Sequence, residues 1–250
     1  MSEELSVVKE DESVDDLILG GLRIIQPKKG YRFSLDSILL AHFVEIKDSM
    51  TIVDLGTGNG VIPIILSLFS KDSRIIGIEL QEKMVDRAKR SLIINRLESR
   101  VKIFQADIKE LSKVLLPNSA DVVVSNPPFW KIGEGLIAVD PEQAMARHEL
   151  TVQMEDIVYA ASRVLKSKGR LYLIQNAERI AETFELFKKN RFIATKLRMV
   201  HPYLHRDAKQ VLIEARKDYG KRCAILPPLI VYRENGEYSA EILKMYGLKG

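Results

Sequence analysis

Residues 51–60 read TIVDLGTGNG, an Ile/Val run followed by an acid and three glycines at alternate positions. The apolar stretch VIPIILSLF comes immediately after. A short β-branched run closed by glycines and continued by a helix-length segment is the turn of a β–α unit, since glycine takes left-handed backbone without a Cβ clash. Such a unit points to a parallel sheet, whose strands need helices on both faces. Four more short runs rich in Ile and Val follow: RIIGIEL (74–80), VKIFQAD (101–107), DVVVSN (121–126) and RLYLIQN (170–176). Between them, QEKMVDRAKRSLIINR carries Met84, Val85, Ala88, Leu92 and Ile93 as one expected helical stripe. TVQMEDIVYAASRVLKSK is expected to be a helix that begins at Thr151 and stops at Gly169.

After Asn190 the pattern changes. IATKLRMVHPY and KQVLIEARK read as two strands of an antiparallel hairpin, and LIVYRENGEYS contains Asn235-Gly236, a strong tight-turn signal. The expected fold is therefore α/β: a Rossmann-like, doubly wound, mostly parallel seven-stranded sheet with a C-terminal antiparallel hairpin and right-handed crossovers. There is no internal repeat or low-complexity linker. Residues 1–16 are expected to be an acidic, mobile N-terminus and residues 17–250 a single domain; the final stretch, 223–250, is expected to pack across a sheet edge.

Composition narrows the function. Cys223 is the only cysteine, so neither an internal disulfide nor a multi-thiolate zinc site is available, and no metal is expected. No apolar run is long enough to span a bilayer, and the start lacks the basic and apolar regions of a signal peptide. A cytoplasmic protein without a membrane partner is expected, and a monomer is compatible with the sequence. The net charge is +4, but residues 1–16 hold seven acids against one base, which leaves +10 on the remainder. Many bases fall between 188 and 222, as suits a polyanion, although a solvated basic face has the same composition.

Gly56, Gly58 and Gly60 allow a ligand to approach the backbone, and the helix N-terminus behind them favours negative charge. The Lys-Ser/Thr pair of a phosphate-gripping loop is missing, which argues against ATP or GTP. Asp54 stands before the glycines, where it suits the ammonium of a methionine-like ligand better than a pyrophosphate. Glu79, about 25 residues on, is positioned to accept the ribose hydroxyls of an adenosine. Asp107 either receives the adenine amine or caps the helix after it. The pattern fits S-adenosylmethionine better than a dinucleotide; an ordinary tight turn with a capping acid is the plainer alternative.

On these residues the chain resembles a class I S-adenosylmethionine-dependent methyltransferase, from about residue 30 to residue 216. The resemblance implies a cofactor site formed by Asp54, Gly56, Thr57, Gly58, Gly60, Glu79, Leu80, Asp107, Ile108 and Asn126. Phe33, Ser34 and Asp36 are expected to pass over it, with Arg32 reaching a phosphate or the methionine carboxylate; a helix entry capped by Ser34 is the alternative.

The fourth strand ends in Asn126-Pro127-Pro128-Phe129. A conjugated amine is a poor nucleophile because its lone pair is delocalised. Accepting both its hydrogens, on the Asn126 side-chain oxygen and the Pro127 carbonyl, frees that pair. The prolines hold the carbonyl rigidly, and Phe129 offers a stacking face worth about 1–3 kcal/mol per nucleobase. Asn126, Pro127 and Phe129 are thus the catalytic candidates. Trp130 extends the stacking surface or packs beneath the loop.

The motif resembles those of adenine N6-methyltransferases and of enzymes that methylate glutamine amides in release factors. The latter carry a helical domain before the glycine loop, and only about 50 residues precede it here. QPKKGYRFSLDSILLAHF (26–43), ARHE (146–149), LKSKGRLYLI and QVLIEARK closely resemble bacterial tRNA1(Val) adenine N6-methyltransferases. That resemblance implies an RNA partner, a tRNA, contacted through Arg147, His148, Arg206 and Lys209. Protein glutamine methylation, another N-methylation, and a non-catalytic RNA-binding module remain open as alternatives.

Overall fold

A computed structural model describes residues 7–17, 19–30, 32–127, 152–220 and 222–248. Strands β1 (Glu12–Asp16) and β2 (Arg23–Pro27) form an antiparallel ribbon, followed by α1 (Leu35–Phe43). Then β3 (Thr51–Leu55), α2 (Val61–Phe69), β4 (Arg74–Glu79), α3 (Glu82–Ile94), β5 (Val101–Gln105) and β6 (Ala120–Ser125) alternate. Past the undescribed 128–151 come α4 (Met154–Val164), β7 (Leu165–Asn176), α5 (Ile180–Lys189), β8 (Phe192–His201) and β9 (Gln210–Lys217). Two-residue strands β10 (Ala224–Ile225) and β11 (Leu229–Ile230) and helix α6 (Ala240–Met245) finish the chain.

The main sheet has the order β5-β4-β3-β6-β7-β9-β8, parallel from β5 to β7 and antiparallel at β9. This is the Rossmann-like sheet expected from the alternation. Its β8 edge is covered further by β10 and β11, which pair in parallel with β8. Two apolar cores flank the sheet. One joins Ile52, Val122 and Val124 to α1, α2 and α3; the other joins Val53, Leu55 and Val123 to α4 and α5. The inward faces alternate along each strand, as period two requires. The order of the strands reverses between the parallel neighbours β3 and β6, whose carboxyl ends open a crevice.

Four local expectations are corrected. Residues 12–16 do not fray: the Glu12 side chain, buried in the ribbon, takes Arg90 Nη1 at 2.5 Å and Arg87 Nε at 3.3 Å. Burial raises the Glu12 pKa, but hydrogen bonds from Arg90 and the Lys9 backbone outweigh it and hold the carboxyl below its ordinary value. Composition alone could not reveal partners 75 residues away. Arg32 turns back to this ribbon, pairing with Asp15 and donating to the Pro27 carbonyl at 3.2 Å. In α3, Ile93 is 46% exposed while Ile94 and Ser91 are buried, because residue 93 lies a further 100° round the helix from Leu92.

The fourth correction concerns α4, which stops at Val164, five residues before Gly169. Leu165 pairs directly with Ala120, and Lys166 reaches Asp121 at 2.7 Å, so sheet pairing overrides the helical pattern. Asp156 accepts from the Gln153 backbone at 2.9 Å near the helix start, and Thr151 lies outside the described residues. The Asn235-Gly236 turn is present with Gly236 at φ 84°, but its flanks make only a Tyr232–Tyr238 bridge.

Candidate functional site

The crevice at the carboxyl ends of β3, β4 and β6 is lined by Phe33, Gly56, Thr57, Gly58, Glu79, Leu80, Ile108, Asn126 and Pro127, all of them read from the sequence except for the added walls of Ser37, Asn59, Gln81 and Met84. The glycine loop is tied to β4: the Gly56 and Thr57 amides donate to the Ile78 carbonyl at 2.9 and 3.0 Å. Gly60, at φ 87°, turns into α2 with its Cα facing Ala88; a Cβ there would stand 3.2 Å from the Ala88 methyl. Beneath the loop, a Cβ on Gly77 would lie 2.6 Å from Ile103 Cδ1 and 2.8 Å from Thr57 Cγ2. Gly77→Ala is therefore expected to lower stability by about 1–3 kcal/mol through overpacking and to weaken ligand binding by moving Thr57. Thermal denaturation with and without ligand measures both.

Glu79 is buried at the end of β4. Its Oε2 accepts from the Gly58 amide at 2.9 Å and its Oε1 from the Gln81 amide at 2.9 Å, which fixes the carboxylate at the loop. A carboxylate so placed presents acceptor oxygens only, the chemistry that a ligand hydroxyl requires. Asp54 is fully buried, paired in register with Gly77 and Val124. Neither of its oxygens has a hydrogen-bonding partner, and the Thr57 hydroxyl is likewise without one. Burial pushes the Asp54 carboxyl up to about 7; the nearby Thr57 side chain opposes the shift, without ordinary hydrogen-bond geometry, and the Glu79 charge adds to it.

Asn126 stands two residues beyond Val124, about 7 Å along the strand and on the same face as Asp54. Its Nδ2 donates to Ser37 Oγ at 3.2 Å, while its Oδ1 is buried without a partner. Asn59 has both side-chain polar atoms in the same condition. A buried polar atom left unpaired costs about 1–3 kcal/mol. Three of these residues, Thr57, Asn59 and Asn126, line the crevice, whereas Asp54 is fully buried and does not line it. Their chemistry fits S-adenosylmethionine: a buried carboxylate suits its ammonium, a second carboxylate its ribose, and Leu80, Met84 and Ile108 its adenine faces.

Other sequence candidates sit elsewhere. Asp107 does not line the crevice; its Oδ1 accepts from the Lys109 amide at 2.8 Å and caps the short 3-10 turn from Ile108. Ser34 is the N-cap of α1, and its hydroxyl donates to Asp36 at 2.9 Å without accepting from a helix amide. Asp36 also accepts from Gln210 of β9, and burial raises its pKa. Both therefore brace α1, while Phe33 and Ser37 form the wall. Arg206 and Lys209 lie in the exposed β8–β9 loop, at the carboxyl edge of the sheet with the crevice but not within it. Phe129, Trp130, Arg147 and His148 lie outside the described residues. Ser37 and Asn59 were missed from sequence; the serine follows Asp36 in the segment already suspected, but only the fold brings it to Asn126.

Fold and crevice together define a class I S-adenosylmethionine-dependent methyltransferase. The sequence pattern described as "Methyltransferase domain" matches residues 46–216. A tRNA1(Val) (adenine(37)-N6)-methyltransferase of Porphyromonas gingivalis is 31% identical over 197 residues, 77% of this chain and 76% of the relative. The enzyme of the same name from Histophilus somni is 27% identical over 87% of this chain and 89% of its own. Among solved structures, a predicted O-methyltransferase of Agrobacterium tumefaciens superposes with a TM-score of 0.69, at 22% identity, over 85% of this chain and 95% of that one; it supports the fold. The chain belongs to the methyltransferase family, and it is an S-adenosylmethionine-dependent enzyme. Among the described residues, no helix is long and apolar enough to cross a membrane, and no cluster of side chains is arranged to hold a metal.

Proposed function

We propose that the protein methylates N6 of an adenine in tRNA, with the adenosine named for its relatives, position 37 of a valine tRNA, as the first acceptor to examine. The observation that carries this reading is the Asn126 side chain, held by Ser37 through its amide nitrogen and left with a buried, unpartnered oxygen in the crevice wall. An acceptor-only oxygen beside Pro127 is what an exocyclic amine requires; a hydroxyl or carboxylate acceptor has no use for two clamping carbonyls.

In this reading Asp54 holds the cofactor's ammonium, Glu79 its ribose hydroxyls, and the loop from Gly56 to Gly60 its methionine end. When bound, the cofactor supplies an electrophilic methyl group on a sulfonium. Asn126 Oδ1 and the Pro127 carbonyl accept the two amine hydrogens, which draws the nitrogen lone pair out of conjugation and aims it. The Phe33 ring and the apolar residues of the wall flank the transferring methyl group, and Phe129, as read from the sequence, would stack on the base. The nitrogen becomes acidic once alkylated and loses its proton to solvent, so no dedicated base is required. The adenine must leave its stack to enter, at a few kcal/mol, less in an anticodon loop than in a duplex.

Nucleoside mass spectrometry of tRNA from cells with and without the gene tests the proposal. N6-methyladenosine in tRNA is expected to depend on the gene, and the purified protein is expected to restore it. Unchanged tRNA, or methyl transfer only to protein amides, overturns the acceptor.

A further inference from the structure

The bases of the C-terminal hairpin, which sequence alone groups together, occupy opposite edges of the sheet. Ten residues of β8 at about 3.3 Å each put its two ends about 30 Å apart. Arg206 and Lys209 follow its carboxyl end, beside the crevice. Lys188, Arg191, Arg216 and Lys217 gather at its amino end, where α4 brings Arg163 and the start of β7 brings Lys168.

That amino edge is held in an unfavourable condition. Burial lowers the Lys217 pKa; Asp218 opposes this, but repulsion from Arg191 and Arg163 keeps the ammonium below its ordinary value. Lys217 has to be anchored by the Leu165 carbonyl at 2.7 Å and Asn118 Oδ1 at 3.0 Å. Lys168 and Arg216 both sit over the Tyr219 ring, at 5.7 and 5.8 Å. Lys168 and Arg191 adopt left-handed backbone, at φ 65° and 64°, where Gly or Asn is the unstrained choice. The Arg191 side chain is nonetheless 77% exposed, with Asp218 at 2.7 Å as its acid. Two acids stand among these bases, Asp218 at Arg191 and Glu214 at 3.3 Å from Arg216, against six cations at the edge, and an edge shaped for stability alone would place glycine at those two turns.

We propose that this amino edge is a second RNA-binding surface, gripping the phosphate backbone of the substrate about 30 Å from the methyl-transfer crevice. The inference rests on the RNA reading of the crevice and deepens it. The substrate is a folded RNA large enough to reach both edges, and a short loop alone is bound only at the carboxyl edge.

The test neutralises three exposed side chains remote from the crevice, in the variant R163Q/K168Q/K188Q, with S-adenosylmethionine titration as the check that the site is intact. Removing up to three phosphate contacts is expected to weaken full-length tRNA about tenfold or more at 0.1 M salt and to reduce the slope of log K against log salt by about 2–3. Affinity for an isolated anticodon stem-loop is expected to stay unchanged. A wild-type slope on full-length tRNA overturns the proposal, as it would if the edge instead served an acidic protein. Equal loss on the stem-loop overturns it too, since the three bases would then act at the target loop. If the wild-type enzyme methylates tRNA and the variant is indistinguishable from it, only the amino edge fails; if the wild-type enzyme methylates no tRNA, the reading of the crevice fails first.

Discussion

Asn126→Ala is expected to lower turnover by about 10²–10³, the range for removal of one preorganised polar group facing the reacting centre, while S-adenosylmethionine affinity changes little. The split follows from the geometry. The Asn126 oxygen has no partner within the protein, so its loss strands no donor, and the Ser37 hydroxyl, which accepts from the amide nitrogen, can turn to water or ligand. The cofactor's proposed grips, Asp54 and Glu79, belong to β3 and β4, whereas Asn126 follows β6 and is held by Ser37 of α1. Ser37→Ala separates positioning from chemistry. It keeps the carboxamide but frees its rotation, so kcat should fall less than in Asn126→Ala, by about tenfold, with the oxygen still present. Single-turnover methylation of tRNA and calorimetric titration of cofactor provide the two readouts. Equal losses in both would mean that Asn126 serves cofactor binding and that the amine clamp is wrong.

The sheet was legible because its signals are local. Each strand is a compact Ile/Val run, each helix is a separate stripe, and the glycines at 56, 58 and 60 mark the turn between the first pair. The crevice was partly legible for the same reason, since Asp54, Glu79 and Asn126 sit at strand ends in sequence and hence at one edge in space. What escaped depends on contacts between distant residues. The Glu12 pairing with Arg87 and Arg90 made a strand out of an acidic start, and Asn95, accepting from the Arg23 amide at 2.9 Å, ties β2 to the end of α3. Ser37 faces Asn126 only after α1 packs across the sheet, 89 residues away in the chain. Asp107 was read as an adenine contact or a helix cap, and its Oδ1 caps the turn after it. Charge was the weakest guide: it grouped the bases from 188 to 222 without showing that β8 divides them between two edges.

Asp54→Asn is expected to abolish cofactor-dependent stabilisation and at the same time raise the stability of the ligand-free protein above pH 7. Both effects come from one buried carboxyl whose pKa burial lifts to about 7. A folded-state pKa above the unfolded value of about 3.9 means that the native protein binds more protons between those values. Ligand-free stability therefore rises as pH falls from about 7 towards 4, and above 7 the ionised, unpaired carboxylate costs on the order of a few kcal/mol. Asparagine removes that charge, so the thermal midpoint of the ligand-free variant at pH 8 should exceed that of the wild type. Cofactor binding runs the other way, because an ammonium pairs with the ionised form only. Wild-type affinity should weaken about tenfold from pH 8 to pH 6, as protonation competes with the ligand across a pKa near 7. In Asp54→Asn that pH dependence should vanish along with most of the affinity. Binding near pH 7 should also release a fraction of a proton per cofactor, measurable as a buffer-dependent heat. A variant that binds as tightly as the wild type, or a wild-type affinity flat from pH 6 to pH 8, would place the ammonium elsewhere. The unpaired carboxylate would then be a cost to the fold without a ligand to offset it.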